Sequence, residues 1–197
     1  LICLLFLSGF SIYWEGTIAM VNNIVTNLEV VESMLYYWSS VADREKVNES
    51  FFVDVANMEA MKLIQTEDFN GESIRKVLSS IQNRELLSAA TKPEKRFWSK
   101  NMWIAEDVSI ATKMAQPIKV LNVDDLVEKL NEKYPDFNQE KIVVHFTPLH
   151  RDPYYIKDGQ IIINFFMIYF DENDQAVIDG QNIKDYVFDR LCELAEA

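Results

Sequence analysis

The densest group of residue types that carry chemistry runs from His145 to Asp152. It holds both histidines of the chain, His145 and His150, and the carboxylate of Asp152 follows two residues later. Imidazoles and a carboxylate bind divalent metals, or act as a base and the acid that orients it. The five-residue step between the imidazoles passes through Pro148, so it does not fix both rings on one face of a helix or strand. A structural role for His145 is therefore the competing interpretation, and no cofactor or metal is predicted.

A second group mixes cations with aromatic rings between Lys92 and Trp103. Near a helix start, such a segment would bind an anion or stack a nucleotide base. Cations in a first helical turn oppose the helix macrodipole, which favours a partner for them, and the acidic C-terminal part of the same chain is one candidate. Alternatively, Phe97 and Trp98 are core anchors and the lysines face solvent. The candidate binding residues are Lys95, Arg96, Trp98, Lys100 and Trp103.

Other signatures of chemistry are weak or missing in the sequence. Residues 171–182 alternate oxygen-bearing side chains as a calcium loop does, but Ala176 stands where the loop needs glycine, so a turn between strands is predicted. Five glycines form no phosphate-cradling loop and no nucleophile elbow. Cys192 falls in an apolar-periodic helix and is predicted to be buried rather than nucleophilic. The sequence therefore contains no catalytic motif.

Apolar residues at steps of three and four predict the helices that would position these groups. A first helix is predicted from Val21 to Ala42, a second over 47–61 and a third over 71–87. The fourth has the clearest start, because Thr91-Lys-Pro-Glu94 is a capping box with an early proline. It is predicted to end at Gln116, before Pro117. A short fifth helix is predicted to begin at Asn122.

The periodicity changes after Pro135. Residues 141–147 are β-branched and aromatic and predict a strand, and Asp158-Gly159 predicts a hairpin turn. A strand over 161–170, with Asn164 as its one polar residue, and another over 175–178 follow before a C-terminal helix. The linker 118–121 is compatible with a strand or an irregular segment.

These elements predict an α+β fold: an N-terminal bundle of about four helices, then a small antiparallel sheet with a C-terminal helix. Residues 20–116 form the helical region and 117–197 the α+β region. The Pro117 junction has no flexible linker, so the two regions are compatible with one continuous domain.

Charge limits the class of partner. The 197-residue chain has a formal charge of -12, of which 117–197 contributes -8 and 20–116 only -3. Nucleic-acid and anionic-membrane binding depend on Lys and Arg, so no nucleic acid and no membrane is predicted as partner. The acid excess favours either a basic protein partner or simple solubility. The oligomeric state is not predicted.

The first nineteen residues allow two interpretations. Their apolar run and Thr17-Ile-Ala19 are typical of a signal peptide, but no Lys or Arg precedes Arg44. Alternatively, codons for Trp14-Glu15-Gly16 contain a purine-rich ribosome-binding sequence upstream of Met20, and residues 1–19 are not native. Together with the two cysteines of the chain, this second interpretation predicts a bacterial, cytoplasmic protein.

Three functions are compatible with these observations. The leading hypothesis is a small acidic protein that binds another macromolecule, as an immunity, antitoxin-like or regulatory protein does. The first alternative is a metal-assisted hydrolase or ligand-processing site around His145, His150 and Asp152. The second is an extracytoplasmic ligand-binding or sensor domain, which requires residues 1–19 to be a true leader.

Overall fold

The computed structural model describes residues 20–197, and the predictions made for residues 1–19 lie outside this range. The described chain is mixed α and β. Its eight helices are α1 Glu29–Ala42, α2 Glu49–Asn57, α3 Glu59–Leu63, α4 Gly71–Asn83, α5 Lys92–Glu106, α6 Val108–Lys119, α7 Asp125–Lys133 and α8 Ile183–Glu196. Its strands are β1 Asn23–Asn27, β2 Lys141–Thr147, β3 Tyr154–Lys157, β4 Gln160–Asn164, β5 Ile168–Phe170, β6 Ala176–Ile178 and β7 Gln181–Asn182. None of these eight helices is long and apolar enough to cross a bilayer.

The first predicted helix is wrong in its first turns, because that stretch is strand β1. Ile24, Val25 and Thr26 are β-branched and suit a strand. Helix α1 begins only at Glu29, whose amide donates a 2.9 Å hydrogen bond to Asn27 Oδ1. The apolar residues of β1 happen to continue the phase of α1, so spacing alone did not separate the two elements.

The larger sheet has four strands in the order β1-β2-β4-β3. β1 pairs with β2 and β2 with β4 in parallel, while β3 and β4 form an antiparallel hairpin. The antiparallel sheet was predicted within 141–178, and there the prediction is wrong for β2 with β4 and right for β3 with β4. β3 lies at the edge of the sheet and β4 turns back between β3 and β2, so β4 runs in the same direction as β2. The parallel pairing of β1 with β2 uses the long helical connection between these two strands. A second sheet, β5-β6-β7, is antiparallel as expected.

Helices cover the larger sheet on both faces. Successive residues of a strand point to opposite faces, and residues 144–147 of β2 are all buried. On one face, Thr147 Oγ1 lies 3.3 Å from the sulfur of Met61 in α3. β1 from the N-terminal region and β2 from the C-terminal region thus share one sheet and one hydrophobic core.

The predicted bundle of about four helices is matched only roughly, because two predicted helices are each divided in two. α2 and α3 are separated at Met58, whose backbone is extended, and α5 and α6 are separated at Asp107. Pro117 does not end α6, which continues to Lys119 and takes in part of the linker left open as strand or irregular. A proline in the last turn removes one hydrogen bond without breaking the earlier ladder.

The predicted turns are confirmed. Asp158 and Gly159 both have positive φ, at 52° and 72°, which is the two-residue hairpin turn expected of an Asp-Gly pair. Asp171 Oδ1 accepts hydrogen bonds from the amides of Asn173 and Gln175 and closes the turn between β5 and β6. The segment that resembled a calcium loop is thus a turn, and the Asp171 carboxylate serves as acceptor for backbone amides of this turn.

Asn164 ends β4 and divides the predicted strand 161–170. Its side chain is fully buried and accepts hydrogen bonds from the amides of Leu149 and Phe166, at 3.2 and 3.1 Å. It also donates one to the carbonyl of Asp152 at 3.1 Å. The amide therefore joins the loop after β2 to the end of β4, two neighbouring carboxyl ends of the parallel strands.

We expect Asn164→Ala to lower the free energy of unfolding by about 2–4 kcal/mol, because it leaves buried amides without acceptors. Urea denaturation at neutral pH measures this loss. Asn138→Ala, at an exposed position, is the matched control and should change stability by less than about 0.5 kcal/mol. Equal effects of the two substitutions would contradict the assigned role.

Candidate functional site

His145 lies in the interior of the sheet. It is 1% exposed, and its Nε2 is 2.5 Å from Gln160 Oε1 on β4. Gln160 in turn donates from Nε2 to Glu59 Oε1 at 2.8 Å, so its oxygen is the acceptor for the imidazole N–H. The ring is thereby held by a side-chain amide between β4 and α3. The structural interpretation of His145 expected a backbone carbonyl as partner, and the partner is a side-chain amide instead. The other ring nitrogen, Nδ1, is buried and has no hydrogen-bond partner within residues 20–197.

His150 is buried in a different contact. Its ring stacks on Phe69, with centroids 4.0 Å apart and planes 29° apart. Phe69 packs edge-on against Phe97 of α5 at 5.2 Å. Burial lowers the pKa of His150; the carboxylates of Asp68 and Asp152 act against this and the guanidinium groups of Arg151 and Arg96 act with it. The loop after β2 is thus electrostatically close to the first turns of α5.

The three candidate catalytic residues do not form a ligand set. Asp152 is half-buried and faces Arg151, with Oδ1 and Nε 3.4 Å apart. His145 is engaged by Gln160 and His150 by an aromatic ring. Across residues 20–197, no three His, Cys, Asp or Glu side chains are placed to hold a metal ion together. A catalytic role for these residues stays a prediction that this geometry does not support.

Helix α5 begins as the sequence predicted. Thr91 Oγ1 accepts from the Glu94 amide at 3.2 Å, and Glu94 Oε2 accepts from the Thr91 amide at 2.9 Å. Glu94 is 5% exposed and pairs with Lys76 of α4 at 3.1 Å. Burial raises the pKa of Glu94, but hydrogen bonds from Thr91, Lys76 and Ser73 outweigh it and leave the pKa below 4.5. The capping box therefore also ties α5 to α4.

The inner face of α5 is fixed by a buried polar contact. Trp38 of α1 donates from Nε1 to Asn101 Oδ1 at 2.9 Å, and Asn101 donates to the carbonyl of Phe97 at 2.8 Å. Asn101 is fully buried, and Phe97 and Ile104 are at most 1% exposed. The prediction that Phe97 is a core anchor is consistent with this packing. The rotation of α5 about its own axis is set by these residues, so its outer face is set as well.

The outer face of α5 carries four residues at helical spacing, Lys92, Arg96, Lys100 and Trp103, which we call the α5 stripe. They stand at i, i+4, i+8 and i+11, so they share one face over about 16 Å. Lys92 and Arg96 are exposed, and Trp103 keeps 50% of its surface. Lys95 is exposed beside the stripe. Of the predicted binding residues, Arg96, Lys100 and Trp103 thus share one surface.

The cations of this surface have no ion-pair partner among residues 20–197. Elsewhere in that range the carboxylates pair with other cations, as Asp125 does with Lys184 and Asp174 with Lys113. The acidic C-terminal part was one candidate partner for the α5 cations, but it forms no ion pair with them. Its paired acids meet cations of other elements or of their own helix, as Asp174 does with Lys113 of α6 and Glu193 with Arg190 of α8.

Lys100 is the most confined of the stripe's cations. It is half-buried, and its Nζ lies 5.3 Å from the ring centroid of Phe166. Burial lowers the pKa of Lys100. The ammonium therefore lacks part of its hydration and gains in return a cation–π contact.

A groove adjoins the stripe on the next face of α5. It encloses about 440 Å³ between the C-terminal ends of α1 and α4 and the second half of α5. Leu86, at its rim, is 92% exposed. Sequence reasoning missed this groove, because its walls come from three helices. The apolar lining residues are Val41, Ala42, Ile81, Leu86, Trp98, Met102 and Ala105.

Trp98 belongs to the groove rather than to the stripe. Its ring is half-buried among the groove residues. The indole Nε1 is buried and has no hydrogen-bond partner within residues 20–197. Trp98 is therefore only partly the core anchor that one prediction gave, and its role as a binding residue stays a prediction.

Comparison with protein-family models, with curated proteins and with solved structures finds no match to this chain.

We expect the imidazole of His150 to resist protonation below pH 6.5, its ordinary pKa. The unfolded chain binds that proton first, so stability is complete above this pH and falls as the pH is lowered. The His150→Gln variant should therefore lose less stability between about pH 7 and pH 5 than the wild type. Urea midpoints at the two pH values measure the difference, and an unchanged slope would contradict it.

We expect Glu94→Gln to lower the free energy of unfolding by about 1–2 kcal/mol at neutral pH, because it keeps a capping oxygen but loses the charge that Lys76 meets. The pKa of Glu94 is depressed in the folded protein, so its contribution is present above pH 4.5 and lost as the pH falls through the folded-state value. The variant and the wild type should converge in strong acid. Glu106→Gln, at an exposed position of the same helix, is the control.

Proposed function

We propose that this protein acts by binding another protein, and that the α5 stripe and the adjoining groove are its binding surface. The observation that carries this proposal is the exposure of two large apolar side chains on the adjoining surfaces: Leu86 at the rim of the groove keeps 92% of its surface, and Trp103 on the α5 stripe keeps 50%. Trp, Arg and Met are enriched in protein interfaces, and Trp and Arg dominate their binding energy. Within this class of binding proteins, the role that we propose is that of an immunity, antitoxin-like or regulatory protein.

The geometry favours a polypeptide over a small substrate. The groove is lined mainly by apolar side chains and adjoins the α5 stripe, which is about 16 Å long and so long enough for about five residues of extended chain. The titratable residues His145 and His150 are buried elsewhere and do not line this groove. Its charged lining residues are Arg84, Glu85 and Glu106. Most of the other lining residues are apolar, which suits recognition of a polypeptide.

A second surface supports the basic partner that the acid excess predicts. Glu128 and Glu132 of α7 and Asp124, the residue just before this helix, are spaced four residues apart and line a groove of about 610 Å³. None of the three has an ion-pair partner within residues 20–197. A cationic protein would find its complement there, and this surface is the competing location for the same class of function.

Photo-crosslinking tests the proposal. A photoreactive phenylalanine analogue placed at Trp103 should crosslink to a discrete protein in the cells that make this chain. The same group at Val120, which is 79% exposed on the far side of the α5–α6 break, should not. Crosslinks from Glu128 alone would move the function to α7, and equal labelling from Trp103 and Val120 would contradict the proposal.

We expect Trp103→Ala to weaken binding of the crosslinked partner by about tenfold or more, the usual cost of truncating an interface tryptophan. Stability should change little, because half of the side chain already faces solvent. Val120→Ala is the matched control, and isothermal titration with the purified partner measures both. An affinity that Trp103→Ala leaves unchanged would contradict the role of this residue.

A further inference from the structure

The cations of the α5 stripe, Lys92, Arg96 and Lys100, stand on one face of a helix and have no ion-pair partner among residues 20–197. In the rest of residues 20–197, several lysines and arginines of the helices meet carboxylates, as Arg75 does with Glu72 and Lys129 with Asp125. The protein as a whole carries twelve more formal negative than positive charges. Carboxylates are therefore abundant, and yet none lies within ion-pair distance of Arg96 or Lys100.

The position of these cations within the helix adds to their cost. Lys92 and Lys95 stand in the first turn of α5, where the unsatisfied backbone amides carry the positive end of the macrodipole. Lys184, in the first turn of α8, meets the same difficulty by pairing with Asp125 of α7. In α5 the corresponding carboxylate is missing from the described chain, and an anionic ligand would take its place.

Lys100, in the middle of the helix, also lacks a carboxylate partner. Its ammonium is half-buried against Phe166, with no carboxylate to offset the loss of water. A carboxylate that docks on the stripe would pair with an already ordered and partly dehydrated cation. Such a pair forms with less loss of side-chain entropy than one between two free surface chains.

The apolar neighbours of the stripe identify the class of anion. Duplex DNA, with one negative charge per about 1.7 Å of its axis, would be repelled by the net charge of -12, and it has no side chains for the groove. A short acidic polypeptide brings a few carboxylates to the cations and an apolar residue to Trp103 or the groove. Charge and shape are then matched together.

We infer that the α5 stripe binds an acidic polypeptide segment, whose carboxylates pair with Arg96 and Lys100 and whose apolar residue packs beside Trp103. This inference rests on the proposed function and specifies the chemistry of its partner. The inferred partner segment is acidic, whereas the acid excess of the whole chain predicts a basic partner. The local surface is the better guide, because ion pairs act over a few ångströms and the distant field is screened by salt.

Fluorescence anisotropy with a labelled peptide of about ten residues, built from Glu and Leu, tests the inference on the full chain. We expect the wild type to bind this acidic probe, and binding to weaken as salt is raised. Arg96→Glu should weaken binding about tenfold. Lys119→Glu changes the net charge equally at an exposed position of α6 and should leave binding within about twofold. Urea midpoints of both variants show whether the fold is kept.

The other outcomes decide against the inference. No binding of the acidic probe, equal loss in the Arg96→Glu and Lys119→Glu variants, or tighter binding of a Lys and Leu peptide or of single-stranded DNA would each overturn it. The proposed function fails separately, if crosslinking from Trp103 finds no partner. If a partner is found but its affinity does not respond to Arg96→Glu, the function stands and the acidic chemistry of its partner is wrong.

Discussion

β1 and β2 pair in parallel over five residues, from Asn23 with Lys141 to Asn27 with His145. The two strands are separated by more than 110 residues of chain, so this pairing closes a long loop, whose entropy cost must be met by burial. Ile24, Ile142 and Val144 are at most 1% exposed and supply part of it. Because both strands run the same way, the chain between them must return across the sheet, and α1 to α7 all lie in that connection.

The position of α5 follows from that crossover through a short series of contacts. α1 leaves the carboxyl end of β1 and carries Trp38, whose ring stacks on Phe165 just after β4, with centroids 5.9 Å apart. The indole of Trp38 also donates to Asn101 of α5. One side chain therefore relates the sheet to α5, and it brings Lys100 over Phe166, the neighbour of Phe165. The outer surface of α5 is thus positioned by the interior.

Local signals were predictable from the sequence and long-range ones were not. The capping box of Thr91 and Glu94 and the Asp158-Gly159 turn depend on residues within a few positions of each other, and both are as predicted. Strand β1 was missed because its partner lies far along the chain, while its apolar spacing matched the helix after it. The candidate residues Arg96, Lys100 and Trp103 could be named from composition, but their lack of carboxylate partners depends on where α7 and α8 pack. The groove is formed by residues of three helices, and the sequence of any single helix does not indicate it.

The charges in the first turns of the helices are the strongest argument for the binding role proposed for α5. α1 begins with Glu29 and Glu32, α4 with Glu72 and α7 with Asp125, each an acid that stabilises the positive end of its helix. α5 has Glu94 in its first turn, but that carboxylate is buried and already engaged by Thr91 and Lys76. The exposed part of the same turn holds Lys92 and Lys95 instead. The first turn of α8 also holds a lysine, Lys184, but Asp125 of α7 pairs with it. On the proposal made above, an acidic ligand would supply to α5 the carboxylate that residues 20–197 do not place there.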